Sequence, residues 1–253
     1  MNQALLAAKS ISKKYGSFVA MEDVSLNVFE NEFLSIVGPN GAGKTTLLNV
    51  LTGLHKPSSG YVTFNGKDIS GLNPVDLSTR GLARAFQLVS YFPDLTVRET
   101  LAVAAASHLN IRWGMFQGIF QRQSVTDIVV RTAKAFGLTS VLDTPAKALP
   151  HGRRKLLDVA SALALHPEVI LLDEPTAGVS TADKHGVMET LIAAASTMNV
   201  KAIVLVEHDM DLVSRYSTRI VAMQNGRKLA DLPRADFFAD DEVLSVVIGK
   251  EAH

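Results

Sequence analysis

Cysteine is absent from the 253 residues of the sequence. That absence excludes disulfides, thiol chemistry and cysteine-ligated zinc. A net charge is also missing, since 25 lysine and arginine residues balance 25 aspartate and glutamate residues, and we therefore expect no nucleic-acid partner. Apolar runs such as residues 202–206 fall far short of the roughly 20 residues that cross a bilayer. The first basic residue is Lys9, so no secretory signal is recognised and a cytoplasmic protein is expected.

One stretch does carry a specific signal, the phosphate-binding pattern G-x-x-x-x-G-K-[ST] at residues 38–45. An apolar run before it predicts a buried strand, and leucines at helical spacing after it predict a helix. This arrangement directs backbone N–H groups and the positive end of a helix dipole at one point, which makes an anion site. Lys44 adds a charge for the outer phosphates, and the Thr45 hydroxyl is a ligand for Mg²⁺. The predicted nucleotide-binding residues in this stretch are Gly38, Pro39, Asn40, Gly41, Ala42, Gly43, Lys44, Thr45 and Thr46.

An aromatic residue, Tyr15, lies in a predicted turn before the P-loop strand. Its ring can stack on a nucleobase, a contact worth about 1–3 kcal/mol. The alternative is a turn tyrosine that covers the edge of a sheet.

Three apolar runs, at residues 33–37, 169–172 and 202–206, each end in a polar cluster. The first leads into the P-loop, the second into an Asp-Glu pair and the third into a Glu-His pair. Because ligands of a parallel sheet bind beyond the carboxyl ends of its strands, these clusters are predicted to converge on one site.

The residues at these strand ends suit phosphoryl transfer to water. Asp173 is predicted to hold Mg²⁺, and Glu174 to orient or deprotonate the attacking water. His208 is predicted to contact the γ-phosphate, Gln87 to reach the metal or the water, and Lys44 to neutralise phosphate charge. Taken singly, a histidine at a strand end is more often structural, and Asp-Glu-Pro often only begins a helix. Their joint order along the chain favours catalysis.

The pattern of runs predicts an α/β fold with an N-terminal antiparallel β subdomain and an inserted α-helical subdomain, and the resemblance to a known family described below implies that its core is that of a P-loop NTPase (RecA-like). Residues 1–87 and 153–253 are assigned to the nucleotide-binding core. Residues 88–152 lack strong strand runs and are assigned to the helical insert, where Thr96 and Glu99 form a capping-box pattern.

Further elements are predicted from local signals. Asn73 and Pro74 are typical of a helix start, so a helix is predicted over 74–82. Apolar spacing predicts helices over 154–165 and 236–249, and residues 84–87 are expected to form a strand.

At these residues the chain resembles the ATP-binding-cassette (ABC) ATPases over almost its whole length. The matching positions are Tyr15 (A-loop), 38–46 (Walker A), Gln87 (Q-loop), 169–174 (Walker B), 177–180 (D-loop) and His208 (switch histidine). The resemblance implies an ATPase that uses ATP and Mg²⁺. It also implies a head-to-tail pair of such domains, in which each ATP lies between one P-loop and the partner's signature motif.

Within that family the chain is most similar to the ATPases of branched-chain amino acid uptake, through residues 84–87, 92–97, 173–178 and 206–210. This implies an importer subunit on the cytoplasmic face of the cell membrane. The implied partners are integral-membrane permeases, a second ABC ATPase and, indirectly, an external solute-binding protein. Lipopolysaccharide-export and urea or amide systems share much of the pattern. An ATPase of DNA repair or translation and a nucleotide switch without transport are two further hypotheses for the function.

The signature motif departs from the family pattern Leu-Ser-Gly-Gly-Gln. The aligned residues are Leu149, Pro150, His151, Gly152 and Arg153, and Ser180 stands where the D-loop has Asp. One interpretation is tolerance, because helix amides and the basic side chains still offer positive charge. The second is a heterodimer in which the ATP site completed by this motif is slow.

Overall fold

The computed structural model describes residues 3–85, 92–109 and 122–248. Its strands are β1 (Leu6–Tyr15), β2 (Phe18–Val28), β3 (Glu32–Val37), β4 (Ser59–Phe64), β5 (Lys67–Asp68), β6 (Leu82–Arg84), β7 (Val169–Asp173), β8 (Ala202–Val206), β9 (Arg219–Gln224) and β10 (Arg227–Pro233). Its α-helices are α1 (Lys44–Leu51), α2 (Pro74–Thr79), α3 (Val97–His108), α4 (Gln123–Ala135), α5 (His151–Leu163), α6 (Thr181–Thr197), α7 (Met210–Tyr216), α8 (Arg234–Ala239) and α9 (Asp241–Ile248). No helix among these described residues is long and apolar enough to cross a membrane.

The chain divides into two compact units. The first comprises Met1–Leu77, Leu171–Glu174 and Lys201–His253, and the second comprises Ser78–Ile170 and Pro175–Val200. This division falls within β7, between Ile170 and Leu171, and does not coincide with the sequence-based domain boundaries at residues 88 and 152. Those boundaries separate the nucleotide-binding core from the helical insert, and they stay a prediction.

The first unit contains an antiparallel sheet in the order β2-β1-β4-β5. Strand β1 pairs with β2 from Leu6 opposite Val28 to Tyr15 opposite Phe18, so a tight turn at Gly16 joins them. Strands β4 and β5 pair across the turn at Asn65 and Gly66. This is the N-terminal antiparallel β subdomain that the sequence predicts.

A second sheet has the order β10-β9-β3-β8-β7-β6. Strand β3 runs parallel to both β8 and β9, and Ile36 pairs with Val206. That register brings the ends of β3 and β8 level at one edge of the sheet. The P-loop follows β3 there, and Glu207 and His208 follow β8.

Strands β3, β7 and β8 of this sheet are largely apolar because both of their faces are covered, whereas the edge strand β10 is polar and has no buried residue. Every residue of β8 is buried, as are Leu34 and Ile36 of β3. Val37, Val213 and Phe237 belong to one buried cluster, which the C-terminal helices α8 and α9 help to form. The prediction of a single helix over 236–249 was wrong, because the carboxylate of Asp240 accepts a hydrogen bond from the Val243 N–H (3.0 Å) and begins a new helix.

The second unit is largely helical in the residues that the structure describes. Helix α3 packs against α4 and α5, and α6 packs against α5. The predicted capping box is confirmed: the Glu99 N–H donates to the Thr96 hydroxyl (3.2 Å), and the Thr96 N–H donates to the Glu99 carboxylate (2.8 Å).

Two predicted boundaries differ from the structure. The helix predicted over 74–82 ends at Thr79, because Gly81 has a left-handed φ of 95° and the chain then enters β6. The helix predicted over 154–165 begins earlier, at His151. Pro150 occupies its N-cap with ψ 151°, so the helix starts as soon as the proline is passed. The end of the strand predicted over 84–87 lies outside the described residues.

Candidate active site

The P-loop encloses a cavity at the start of α1. The cavity has a volume of about 280 Å³ and is lined by Phe18, Ala20, residues 40–46 and Glu174. Helix α1 begins at Lys44, directly after Gly43 in a left-handed conformation (φ 97°). The first N–H groups of a helix have no partner within it, so this cradle presents donors to an anion. The predicted P-loop residues 40–46 therefore line one cavity whose N–H donors suit a polyphosphate. Gly38 and Pro39, which connect β3 to the loop, do not line it.

Lys44 is held by the loop that it follows. Its Nζ donates hydrogen bonds to the carbonyl oxygens of Gly38 (2.6 Å) and Pro39 (3.1 Å), and the residue is 9% exposed. Burial lowers the pKa of Lys44 from its ordinary value, while the carboxylates of Glu174 and Asp173 oppose that shift. The ammonium is thus positioned inside the loop, where its charge acts on whatever anion the loop holds.

Gly38 is fixed by a contact that sequence inspection does not reveal. Its φ is 146°, and a Cβ built there would lie 2.2 Å from the carbonyl oxygen of Met223. The P-loop therefore begins with the backbone pressed against β9. Any side chain at position 38 would push the loop out of place.

The Asp-Glu pair reaches the same edge of the sheet at the end of β7. The Glu174 N–H donates to the Val206 carbonyl oxygen at 2.9 Å, which ties the pair to β8. Glu174 has a φ of 48°, a strained conformation for a residue with a side chain, and such strain costs about 1–3 kcal/mol. The bend turns Glu174 into the wall of the P-loop cavity, where its side chain is 43% exposed.

His208 lies beside Glu174. Its Nδ1 is 3.6 Å from the Glu174 Oε1, and its side chain is 61% exposed. The structure therefore brings together the P-loop, Glu174 and His208, as the strand ends predict. Gln87, the other predicted member of this group, lies outside the described residues.

Glu207 is a residue whose role the sequence did not reveal. It is 1% exposed, and its Oε2 accepts hydrogen bonds from the N–H groups of His208 (3.1 Å) and Asp209 (3.4 Å). Its own N–H donates to the Ile36 carbonyl oxygen (3.4 Å). A buried carboxylate thus shapes the turn that presents His208. The signal available in the sequence was an acidic residue directly after a fully apolar strand.

The aromatic residues near the cavity differ from expectation. Tyr15 is the last residue of β1 rather than part of a turn, and its ring contacts the edge of His55 (5.6 Å between centroids) and the Lys13 ammonium (5.1 Å). Phe18 lines the P-loop cavity and is 67% exposed. Sequence reasoning missed Phe18, although an aromatic residue three positions after Tyr15 was visible. The nucleobase contact of Tyr15 stays a prediction.

The residues aligned with the signature motif belong to the second unit. Leu149 is buried, Pro150 is the N-cap of α5, and His151, which is exposed, opens that helix. The His151 Nε2 lies 3.1 Å from the Ala177 carbonyl oxygen. Ser180 is the N-cap of α6, and its hydroxyl donates to the Asp183 carboxylate at 2.6 Å. The departures from the family pattern thus occupy two helix starts.

The predicted metal ligands are Thr45, Asp173 and Gln87, of which Gln87 lies outside the described residues. Among residues 3–85, 92–109 and 122–248, no group of three or more His, Asp or Glu side chains is arranged to hold a metal ion. Thr45 lines the cavity, and Asp173 ends β7 one residue before Glu174. A hydroxyl and one carboxylate are the protein donors that Mg²⁺ uses when substrate phosphates supply other ligands.

Comparison with known proteins gives one consistent result. A family model described as ABC transporter matches residues 21–177. The high-affinity branched-chain amino acid transport ATP-binding protein LivG of Salmonella typhimurium is 34% identical over 257 residues, which is 99% of this chain and 100% of that protein. The corresponding protein BraF of Pseudomonas aeruginosa is 31% identical, over 99% of this chain and 100% of that protein.

Solved structures agree with these sequence matches. The ADP conformation of an ATP-binding cassette of an ABC transporter is 27% identical and superposes with a TM-score of 0.82, over 98% of this chain and 100% of that chain. The predicted fold class and the resemblance noted in the sequence are both confirmed.

Proposed function

Because this chain belongs to the ABC transporter family and is one of its ATPases, we propose that it energises the import of branched-chain amino acids or similar hydrophobic solutes. The observation that carries the hydrolytic part is Glu174 at the wall of the P-loop cavity, with the His208 Nδ1 3.6 Å from its carboxylate. The substrate class is supported by relatives named for branched-chain amino acid transport, which match over nearly the whole chain.

The phosphate groups of ATP are placed in the cradle of residues 40–46. Backbone N–H groups at the start of α1 and the Lys44 ammonium neutralise the charge that the transferred phosphoryl group carries. Two of the three N–H groups of the Lys44 ammonium are bonded to the Gly38 and Pro39 carbonyls, so the third can donate to a phosphate oxygen. Because those carbonyls already hold the ammonium, little reorganisation is needed.

Glu174 is assigned to the attacking water. The carboxylate orients the water and accepts its proton as the water oxygen bonds to the γ-phosphorus, and the bond from that phosphorus to the ADP oxygen breaks. His208, held by the Glu207 turn, lies 3.6 Å from the Glu174 carboxylate, and we assign it the role of sensing the γ-phosphate. Gln87 keeps its predicted role at the metal or the water.

The donor set fits Mg²⁺. Thr45 and Asp173 are the residues that would hold the ion, together with phosphate oxygens. When bound, the ion supplies positive charge to the β- and γ-phosphates.

The protein is proposed to work as a peripheral subunit at the cytoplasmic face of the cell membrane. Its proposed partners are integral-membrane permeases and a second ABC ATPase, with a solute-binding protein acting indirectly. The family description as an ABC transporter supports membrane partners. The departures at Pro150, His151 and Ser180 favour a second, different ATPase with a signature motif of the usual composition.

Uptake measurements test the substrate and the chemistry together. Cells of the source organism from which the gene is deleted are complemented with the wild-type chain, with Glu174→Gln or with the matched control Glu242→Gln. Glu242 is an exposed residue of α9. Labelled leucine uptake is expected from the wild type and the control, but not from Glu174→Gln. Leucine uptake that does not depend on the gene, with loss of urea uptake instead, would support the urea-type alternative.

Affinity capture tests the partners. The Glu174→Gln chain is isolated from native membranes in the presence of ATP, and the accompanying proteins are identified by mass spectrometry. Two permeases and a distinct ATPase are expected. Recovery of soluble partners only would contradict the transport function and favour a nucleotide switch.

A further inference from the structure

We infer that His151 is a positioning residue that ties the segment 177–180 to the first turn of α5. This inference rests on the proposed function, because it assigns the tie a part in ATP turnover. His151 stands where the family signature has a glycine, so its side chain is an addition to that pattern. The structure gives that side chain a defined partner in the same unit.

The tie is a hydrogen bond between His151 and the backbone at Ala177. The Nε2–Ala177 O distance is 3.1 Å, which is within the range of an N–H···O bond. A carbonyl oxygen only accepts, so Nε2 carries the proton and donates. The bond joins two parts of the chain that are 26 positions apart in sequence. A glycine at position 151 has no side chain with which to form it.

Gly178 shows that the imidazole is packed against the segment and not only bonded to it. A Cβ built on Gly178 would lie 2.7 Å from the His151 Nε2 and 3.4 Å from its Cδ2 and Cε1. Gly178 has a φ of 77°, and the turn around it is closed by the Val179 N–H donating to the Thr176 carbonyl oxygen (3.0 Å). Only a residue without a side chain lets the turn and the ring lie this close together.

The position of this segment in the chain gives the tie its consequence. Ala177 follows Glu174 by three residues, and the intervening Thr176 is 1% exposed. After the segment, Ser180 begins α6 and is bonded to Asp183. His151 therefore fixes the short stretch between a buried threonine and a helix start, in which Gly178 is exposed and Val179 is buried. It links the residues that follow the proposed base to the motif proposed to face a partner's ATP.

Amide hydrogen exchange on the full-length chain tests the tie directly. His151→Ala is expected to speed exchange by about three- to tenfold at Val179, whose N–H donates to the Thr176 carbonyl oxygen, since one net hydrogen bond that holds this turn is lost. His151→Gln carries an amide N–H at a reach similar to that of Nε2 and is expected to restore protection. A general loss of stability would speed exchange in α5 and α6 as well, so those helices are the internal control.

A double substitution separates the tie from turn strain. Gly178→Ala is expected to displace the ring and speed exchange in the wild-type chain. In the His151→Ala background the ring is gone, so the same substitution is expected to have a smaller effect. Equal effects in both backgrounds would mean that Gly178 and His151 do not interact, and would overturn the inference.

ATP turnover by the assembled complex tests the positioning role. His151→Ala is expected to lower kcat by about three- to tenfold with an unchanged KM for ATP, and His151→Gln to restore kcat. Faster exchange with an unchanged kcat would overturn the positioning role. Absence of ATP hydrolysis by the wild-type complex would instead contradict the proposed function, and the exchange result would still decide whether the tie exists.

Discussion

The P-loop of the first unit and the signature-aligned stretch of the second unit differ in how tightly their residues are packed. Gly38 is pressed against Met223, and Lys44 is bonded by two loop carbonyls. Pro150 and His151 are exposed positions at the start of a helix. The P-loop follows the family pattern at every fixed position, whereas the signature departs from it at the exposed ones. Departure from the family pattern here coincides with exposure of the residue, and local packing does not show how important a residue is to a partner.

Glu174→Gln is expected to have the largest effect, because it removes the proposed base from the intact site. Turnover should fall on the order of 10³-fold, which corresponds to about 4 kcal/mol of barrier. Nucleotide binding should persist, since Lys44 and the loop amides are unchanged. Steady-state ATPase assays and a nucleotide-binding titration measure the two quantities. Normal hydrolysis by this variant would remove Glu174 from the mechanism.

Gly38→Ala probes the close packing of the P-loop. The new Cβ would clash with the Met223 carbonyl oxygen, so the free energy of unfolding should fall by about 3 kcal/mol. Gly41→Ala is the matched control, because Gly41 is in the same loop with a φ of 81° but has nothing within 4 Å of its built Cβ. Its cost should be only about 1 kcal/mol. Equal urea-unfolding losses for both variants would show that close packing is not what distinguishes this loop.

Glu207→Ala probes the turn behind His208. Two N–H groups lose a buried carboxylate acceptor, and the free energy of unfolding should fall by about 2 kcal/mol. Turnover should fall as well, because His208 is no longer held beside Glu174. Glu207→Gln keeps an acceptor oxygen and should lose less in both measurements. A variant with wild-type turnover would limit Glu207 to a structural role.

Pro150→Ser tests whether a side-chain N-cap on α5 stabilises the chain. Pro150 already has N-cap geometry (φ −53°, ψ 151°), and a serine hydroxyl there can accept from the first N–H groups of α5. The free energy of unfolding should rise by about 1 kcal/mol, measured by urea denaturation. No gain would mean that those N–H groups are already satisfied.

Adding His151→Gly to Pro150→Ser separates the interpretations of this motif. The asymmetric-heterodimer interpretation predicts faster turnover of the complex, because the slow site regains a family-like signature. Simple tolerance predicts no change. The His151 tie predicts slower turnover, because the bond to Ala177 is lost.

The sequence was sufficient to predict which residues meet at the site, but it did not predict the contacts that hold them there. Parallel apolar strands ending in polar residues predicted that Glu174 and His208 would meet the P-loop, because strand ends share an edge. Gly38 must be a glycine because the Met223 carbonyl oxygen, which is distant in sequence, leaves no room for a Cβ. The bond from the His208 N–H to the Glu207 carboxylate depends on the direction of a side chain. Local sequence patterns encode neither of these contacts. The early start of α5 was missed because Pro150 breaks the apolar spacing on which helix prediction relies.

The smallest expected effect concerns the pH dependence of stability, and it also separates the two units. In the second unit the Arg131 guanidinium contacts the His166 Nε2 (2.5 Å), and the His108 ring lies 5.0 Å away. Burial, then the charge of Arg131 and the proximity of His108, lower the pKa of His166 from its ordinary 6.5. The folded chain therefore binds this proton less readily than the unfolded chain. As a result, stability rises with pH between the lowered pKa of the folded chain and 6.5.

The contribution of His166 should be fully present above pH 6.5 and decrease as the pH falls from there through the lowered folded pKa. His166→Asn removes the titration, so the decrease in melting temperature between neutral and mildly acidic pH should become shallower. Exchange protection of α4 against α1, followed over the same pH range, assigns the effect to one unit. A loss of protection in α1 equal to that in α4 would place the titrating group outside this cluster, because the cluster lies wholly in the second unit.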